Sequence, residues 1–320
     1  MQAHELNAVI LDETSFNPGD LDLSQWLNVI KNWQRFNVTT SEQRLERLQN
    51  KHIAIANKIV FDSELLAQLP ELKLILLTAT GMDNVDVDYC NAHGISVYNV
   101  SDYCTPSVSQ HVFSLILALC TRLNDYQQMT RNGQWSKSEH FSSLQYPIQE
   151  LSGKTLGLIG YGTLAKGVEK LALAFGMKVL VAARVDSDSA PQGRLLIKDL
   201  LPKVDVLSLH CPLTPNTHKL VTRSFLENMK SSALLINTAR GAVVDNADLA
   251  QALRDGVIAG AGIDVLEQEP PPADHPLLAA DIPNLILTPH IAWAAIEARQ
   301  RMVDKVTDNL QHWLTSQAKT

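Results

Sequence analysis

Apolar positions along the chain follow two rhythms. Over the first hundred residues, short runs that are almost wholly apolar, at 8–11, 53–55, 72–77 and 95–97, alternate with polar stretches of helical length. Such runs predict strands of a parallel sheet, buried on both faces, with helices between them. After Pro106, residues 107–131 lack proline and glycine and repeat Val108, Val112, Leu115, Ile116 and Leu119 at helical spacing, which predicts one long helix. Residues 135–152 are polar and aromatic. The strand rhythm then resumes at 155–159, 178–182, 204–210, 233–237, 258–263 and 284–288. A last helix is predicted over 292–320, returning to the first lobe.

The predicted fold class is α/β, with two doubly wound parallel-sheet domains: a Rossmann-type nucleotide domain and a smaller, flavodoxin-like substrate domain. A chain of 320 residues exceeds the usual size of one core, which agrees with two domains. The substrate domain is discontinuous, residues 1–100 with 292–320, and the nucleotide domain takes residues 101–291.

Composition narrows the classes of function. Hydrophobic residues make up 45% and charged residues 19%, as in compact globular proteins. The net charge of −7, without runs of Lys or Arg, argues against a nucleic-acid surface. Cys90, Cys104, Cys120 and Cys211 have neither C-x-x-C spacing nor disulfide-framework density, so reduced, buried thiols and a cytoplasmic location are expected. Residues 1–12 lack the basic region and apolar stretch of a signal peptide, and the longest apolar segments are too short to span a bilayer. No membrane role and no metal site are expected.

The first chemical signal is Leu156-Gly-Leu-Ile-Gly-Tyr-Gly-Thr-Leu-Ala165, a glycine-rich turn between an apolar strand and a helix. In that context it is a dinucleotide fingerprint: Gly160 permits the tight turn, and Gly162 lets backbone N–H groups approach a pyrophosphate at the helix N-terminus. Ala165 stands in place of the third glycine. The next strand, which in dinucleotide folds ends on a ribose-binding acid, here ends Ala183-Arg184. Arg184 is then a candidate partner for a 2′-phosphate, giving NADP tolerance. The alternative is that Arg184 points to solvent and Asp186 or Asp188 takes the ribose.

Three further segments each follow a predicted strand: Ile236-Asn-Thr-Ala-Arg240-Gly241, Gly262-Ile-Asp264-Val-Leu-Glu-Gln-Glu269-Pro270 and Thr288-Pro-His290-Ile-Ala-Trp293. In a doubly wound sheet such loops line the coenzyme crevice and can converge. Hydride delivery to a keto carbon leaves charge on oxygen, which calls for a proton donor; histidine suits this, with a carboxylate as its partner. Arginine offers a planar fork for a substrate carboxylate. Taken singly, Arg240 reads as a surface charge, Glu269 as a loop residue and His290 as a packed strand-end residue.

The fingerprint, the N-T-A-R-G segment, the D-V-x-x-x-E-P segment and P-H, in that order, resemble the D-isomer-specific 2-hydroxyacid dehydrogenase family over nearly the whole chain. Residues 103–113 and 289–293 most resemble its glycerate dehydrogenase (hydroxypyruvate reductase) branch. The resemblance implies Arg240, Glu269 and His290 as the catalytic set and NAD or NADP as coenzyme. It also implies coenzyme contacts at Thr80, Thr105, Gly160, Gly162, Thr163, Leu164, Arg184, Cys211, Pro212, Thr238, Ala239, Arg240, Asp264 and His290. Substrate contacts follow at Thr80, Gly81, Met82, Arg240 and His290, with Trp293 walling the pocket. A small 2-keto or 2-hydroxy acid is the implied partner. A homodimer is also implied, with helix 107–131 offering a face. The rival readings are a coenzyme-sensing, corepressor-like binding protein and the same reaction on a D-lactate or phosphoglycerate type of acid.

Overall fold

The computed structural model describes residues 5–317, which form two compact units: residues 5–104 with 294–317, and residues 105–293. The first is built on five parallel strands, β1 (Asn7–Ile10), β2 (Asn32–Arg35), β3 (Ile53–Ala56), β4 (Leu74–Leu77) and β5 (Ser96–Tyr98). Their order, β2-β1-β3-β4-β5, is the flavodoxin-like one. β3 and β4 are buried at every position, which is why they read as continuous apolar runs. β2 escaped the sequence pattern because it is an edge strand, Asn-Trp-Gln-Arg, with three of its four residues exposed.

The last helix, Ile296–Gln317, begins four residues later than expected and packs on this first unit. The fully buried Trp26 donates its indole N–H to the Val303 carbonyl at 3.0 Å. The largely buried Arg299 forms a two-armed pair with Asp20 at 2.6 and 2.7 Å.

The second unit carries six parallel strands, β6 (Thr155–Ile159), β7 (Lys178–Val181), β8 (Val206–Leu209), β9 (Leu234–Asn237), β10 (Gly260–Ile263) and β11 (Leu285–Leu287). They are ordered β11-β10-β9-β8-β6-β7, and a single parallel bridge from Ala182 to Leu195 extends the sheet beyond β7. The order reverses between β6 and β8, the switch point where ligands bind in such sheets. The expected fold class is therefore the observed one.

The helix predicted over 107–131 is two helices, Thr105–Cys120 and Leu123–Arg131, separated at Arg122, whose φ is +53°. The apolar stripe ends at Cys120. The first helix buries Val108, Val112, Leu115, Ile116 and Leu119 in its own unit, whereas the second buries Met129. That burial withdraws the first helix's apolar face from any role between copies. It packs on the helix Thr163–Ala174 so closely that a Cβ on Gly167 would lie 2.5 Å from Ser109 Oγ and 2.8 Å from Thr105 Cγ2. Among the described residues no helix is long and apolar enough to cross a membrane, and no group of three or more His, Cys, Asp or Glu is placed to hold a metal ion.

Candidate active site

Arg240, Asp264 and His290 leave three neighbouring strands at one edge. Asn237, Ile263 and Leu287 are register partners across β9, β10 and β11, and the three residues follow them by three, one and three positions. Adjacent strands lie about 4.8 Å apart, so these loops emerge within roughly 10 Å of one another. Backbone bonds tie them further: Asp264 N–H donates to the Asn237 carbonyl at 2.9 Å, and His290 N–H to the Asp264 carbonyl at 2.8 Å. A Cβ on Gly241 would fall 1.9 Å from the Leu266 carbonyl carbon, so only glycine lets the loop after Arg240 lie against the loop that carries Glu269.

Glu269 links that loop to His290. Its Oε1 accepts from Leu266 N–H at 2.9 Å, and its Oε2 lies 2.7 Å from His290 Nδ1. Both side chains keep about a third of their surface exposed, 29% for His290 and 35% for Glu269. The pair therefore reaches solvent rather than lying in the core. His290 adopts φ +55°, a backbone conformation uncommon outside glycine, and Trp293 returns its indole N–H to the His290 carbonyl at 2.9 Å. Arg240 ends an asparagine-built turn: buried Asn237 accepts from Ala239 N–H and donates to the Arg240 carbonyl, while Arg240 Nη1 donates to the Ala239 carbonyl at 2.8 Å.

Asp264 is 1% exposed and holds the turn around His290. Its carboxylate accepts from Thr288 Oγ1 at 2.5 Å and from the N–H groups of Ile291 and Ala292 at 2.9 Å each. Burial pushes this carboxyl's pKa up, but the hydrogen bonds from His111, Thr288, Ala292 and Ile291 outweigh it and leave the pKa below the ordinary value.

At the switch point, Gly160 has φ +85° and passes so close to the His210–Cys211 backbone that a Cβ would meet it at 2.5 Å. Above Gly162, at the N-terminus of the twelve-residue helix that opens with Thr163 and Leu164, a Cβ would have no neighbour within 4 Å. A cavity of about 440 Å³ follows, lined among others by Ala183, Arg184, Asp186, Cys211, Pro212 and Thr217. The buried hydroxyls of Thr105 and Thr238 have no hydrogen-bond partner among the described residues. A close glycine turn, open space at a helix N-terminus, an adjoining cavity and two orphaned hydroxyls fit a dinucleotide.

Arg184 and Asp186 both line the cavity and pair at 3.4 Å, whereas Asp188 lines an adjoining recess that Arg184 also borders. Thr80, Gly81 and Met82 belong to the other unit, in the loop after β4, where Thr80 Oγ1 donates to the Val100 carbonyl at 2.8 Å. Sequence reading missed His111, Gly167 and Thr217. His111 sits inside the 103–113 segment that carried the resemblance, four residues after Ser107 on one helix face, but neither signal gave it a role.

Comparison with known proteins places the chain firmly. The family profile described as "D-isomer specific 2-hydroxyacid dehydrogenase, NAD binding domain" matches residues 113–292. Glycerate dehydrogenase of Methylorubrum extorquens is 47% identical over 273 residues, 85% of each chain. Two solved structures share the whole fold. One is D-lactate dehydrogenase of Aquifex aeolicus with NAD and lactic acid, with a TM-score of 0.82 and 29% identity over 98% of this chain and 97% of that one. The other is the NADPH-dependent glyoxylate/hydroxypyruvate reductase of Sinorhizobium meliloti with NADP and malonate, with a TM-score of 0.76 and 27% identity over 96% and 93%.

Proposed function

The chain belongs to the D-isomer specific 2-hydroxyacid dehydrogenases, NAD(P)-dependent oxidoreductases that act on CH–OH donors, and from that premise we propose that it reduces hydroxypyruvate and glyoxylate to the D-2-hydroxy acids. The observation that carries the reading is the 2.7 Å pairing of His290 Nδ1 with Glu269 at the strand-end edge it shares with Arg240. The named activity of the glycerate dehydrogenase relative, at 47% identity against 29% for the D-lactate dehydrogenase, favours these acids over lactate.

The nicotinamide coenzyme, when bound, supplies the hydride for the keto carbon. With Nδ1 engaged by Glu269, His290 presents Nε2 to the substrate oxygen, donating a proton in reduction and taking one in oxidation. Glu269 fixes the tautomer and the ring orientation. Arg240 takes the substrate carboxylate on its guanidinium fork and polarises the carbonyl as charge develops. The family resemblance gives Thr80, Gly81 and Met82 as substrate residues and Trp293 as a pocket wall.

For the coenzyme, Gly160, Gly162, Thr163 and Leu164 hold the pyrophosphate, with Thr105 and Thr238 supplying hydroxyls and Ala239 and Asp264 bordering the nicotinamide end. Cys211 and Pro212 flank the adenosine, and Arg184 accepts a 2′-phosphate, so NADPH is used alongside NADH. The four cysteines are free and buried, which supports a cytoplasmic setting. A homodimer is supported by exposed apolar residues after the second helix, Phe141 and Leu144 at 92% and 90%, which suit a second copy.

The test is turnover of a panel of 2-keto acids with NADH and NADPH. Hydroxypyruvate and glyoxylate should lead by kcat/KM, with D-configured products. A panel led by pyruvate or a phosphorylated acid would reject the substrate assignment. Light scattering checks the dimer.

A further inference from the structure

The catalytic reading leaves His111 without a task, although it is built into the support of His290. Ser107 and His111 lie four residues apart on one face of the helix Thr105–Cys120. Both reach the segment that carries His290. Ser107 Oγ donates to the Ala292 carbonyl at 2.6 Å, while His111 Nε2 lies 3.0 Å from Thr288 Oγ1 and 3.4 Å from Asp264 Oδ1. The His111 side chain is 16% exposed and that of Asp264 is fully buried, so no solvent competes at the far end of this chain.

The hydrogen positions in this chain follow from valence. An ionised carboxylate can only accept, so the 2.5 Å contact between Thr288 Oγ1 and Asp264 Oδ1 takes the single hydroxyl proton of Thr288. The Thr288 oxygen must then accept from His111, whose Nε2 therefore carries hydrogen in both the neutral and the cationic form. Asp264 passes the constraint on through the N–H groups of Ile291 and Ala292, the two residues that follow His290.

We propose that His111 is a positioning residue for His290, acting through the directed chain His111 Nε2–H to Thr288 Oγ1–H to the Asp264 carboxylate, which clamps the backbone turn on which His290 stands. The proposal rests on His290 as the acid/base. It explains why a turn with φ +55° at its functional residue is held by side chains from a helix far upstream.

The test uses His111→Leu, His111→Gln, Thr288→Val and the Leu/Val double variant of the full chain. His111→Leu should lower kcat about tenfold, as a small displacement of a reacting group does, with KM and coenzyme Kd within about twofold and Tm nearly unchanged. His111→Gln, which keeps an N–H donor at similar reach, should recover most of that loss. The double variant should be no slower than the slower single one, because both cut the same chain. A wild-type kcat in His111→Leu, or losses that add in the double variant, would overturn the proposal. So would failure of Gln to rescue, with kcat falling in step with Tm. Histidine 15N NMR gives a readout that needs no turnover: His111 should carry hydrogen on Nε2, and finding the Nδ1–H tautomer would sink the proposal whichever acid the enzyme reduces.

Discussion

The loops after β9, β10 and β11 and the loop after β7 leave the same sheet, yet they are held in opposite ways. At the first group, buried Asn237 and Asp264 bond across to neighbouring loops, Gly241 lies on Leu266, and His290 is gripped by backbone and side chain alike. At the second, Arg184 is 83% exposed and pairs with Asp186, itself 44% exposed, at 3.4 Å. A surface pair of that kind is worth about 0–1 kcal/mol, whereas removing one partner of a buried charged network costs several. The contrast implies that the reaction is fixed by the fold, while the choice of coenzyme rests on side chains that can change at little cost in stability.

The most forceful way to break this comparison is at His290. His290→Ala should lower kcat by about 10³-fold, the usual worth of a positioned acid/base, with coenzyme affinity nearly unchanged. Arg240→Ala should raise KM for the keto acid and lower kcat together, since it removes both the carboxylate fork and the carbonyl polarisation. Steady-state kinetics beside coenzyme titration by fluorescence checks both. Near-normal turnover in His290→Ala would mean that the well-tied edge is merely structural.

Acid separates the well-tied edge from the Gly160 turn next. Burial pushes His210, beside the Gly160 turn, down to about 4 from 6.5. A histidine kept neutral in the folded state contributes its full stability above pH 6.5 and loses it as pH falls toward 4, because the unfolded chain takes up the proton first. His210 is only half-buried as a residue, so we expect about 2 kcal/mol over that window rather than the full value of the displacement. Asp264 follows the same sign in a lower window: its folded value is also lowered, so its contribution is intact above the usual carboxyl range and is lost only as pH falls below about 4. Urea unfolding from pH 7 to 4 should show a loss that His210→Gln flattens and Asp264→Asn does not. An unchanged slope in His210→Gln would remove His210 from the account.

The legibility of the sequence followed the same divide. β3, β4, β8, β9 and β10 announce themselves because every residue is buried, and an apolar run can satisfy both faces of a central strand in no other way. β2 is polar because an edge strand with one covered face needs little apolar surface, and the break at Arg122 turns on one left-handed residue that no periodicity encodes. Chemistry at strand ends singled out Arg240, Glu269 and His290, since their residue types make sense together. The role of His111 could not be read because its partners, Thr288 and Asp264, come from other strands' ends and only folding brings them to its helix. The coenzyme contacts of the 2′ side were left open by the sequence for a physical reason: Arg184 and Asp186 are adjacent, oppositely charged and both exposed.

The smallest expected effect is therefore at that pair, and it sharpens the comparison most directly. Asp186 stands on the cavity wall beside Arg184, so under the proposed coenzyme reading it would compete with a 2′-phosphate for the guanidinium and offer the ribose hydroxyls of NADH an acceptor. Arg184→Ala should lower kcat/KM for NADPH about five- to tenfold and leave NADH nearly unaltered, about 1 kcal/mol for one exposed charge-assisted contact. Asp186→Ala should act in reverse, improving NADPH by removing the competing carboxylate and weakening NADH. Because both side chains are solvent-exposed, the NADPH advantage conferred by Arg184 should shrink as salt is raised, while the His290-dependent factor in kcat stays constant. If Arg184→Ala changed NADH and NADPH equally, or lowered Tm as a buried network would, the two regions would not differ in the way their hydrogen bonding implies.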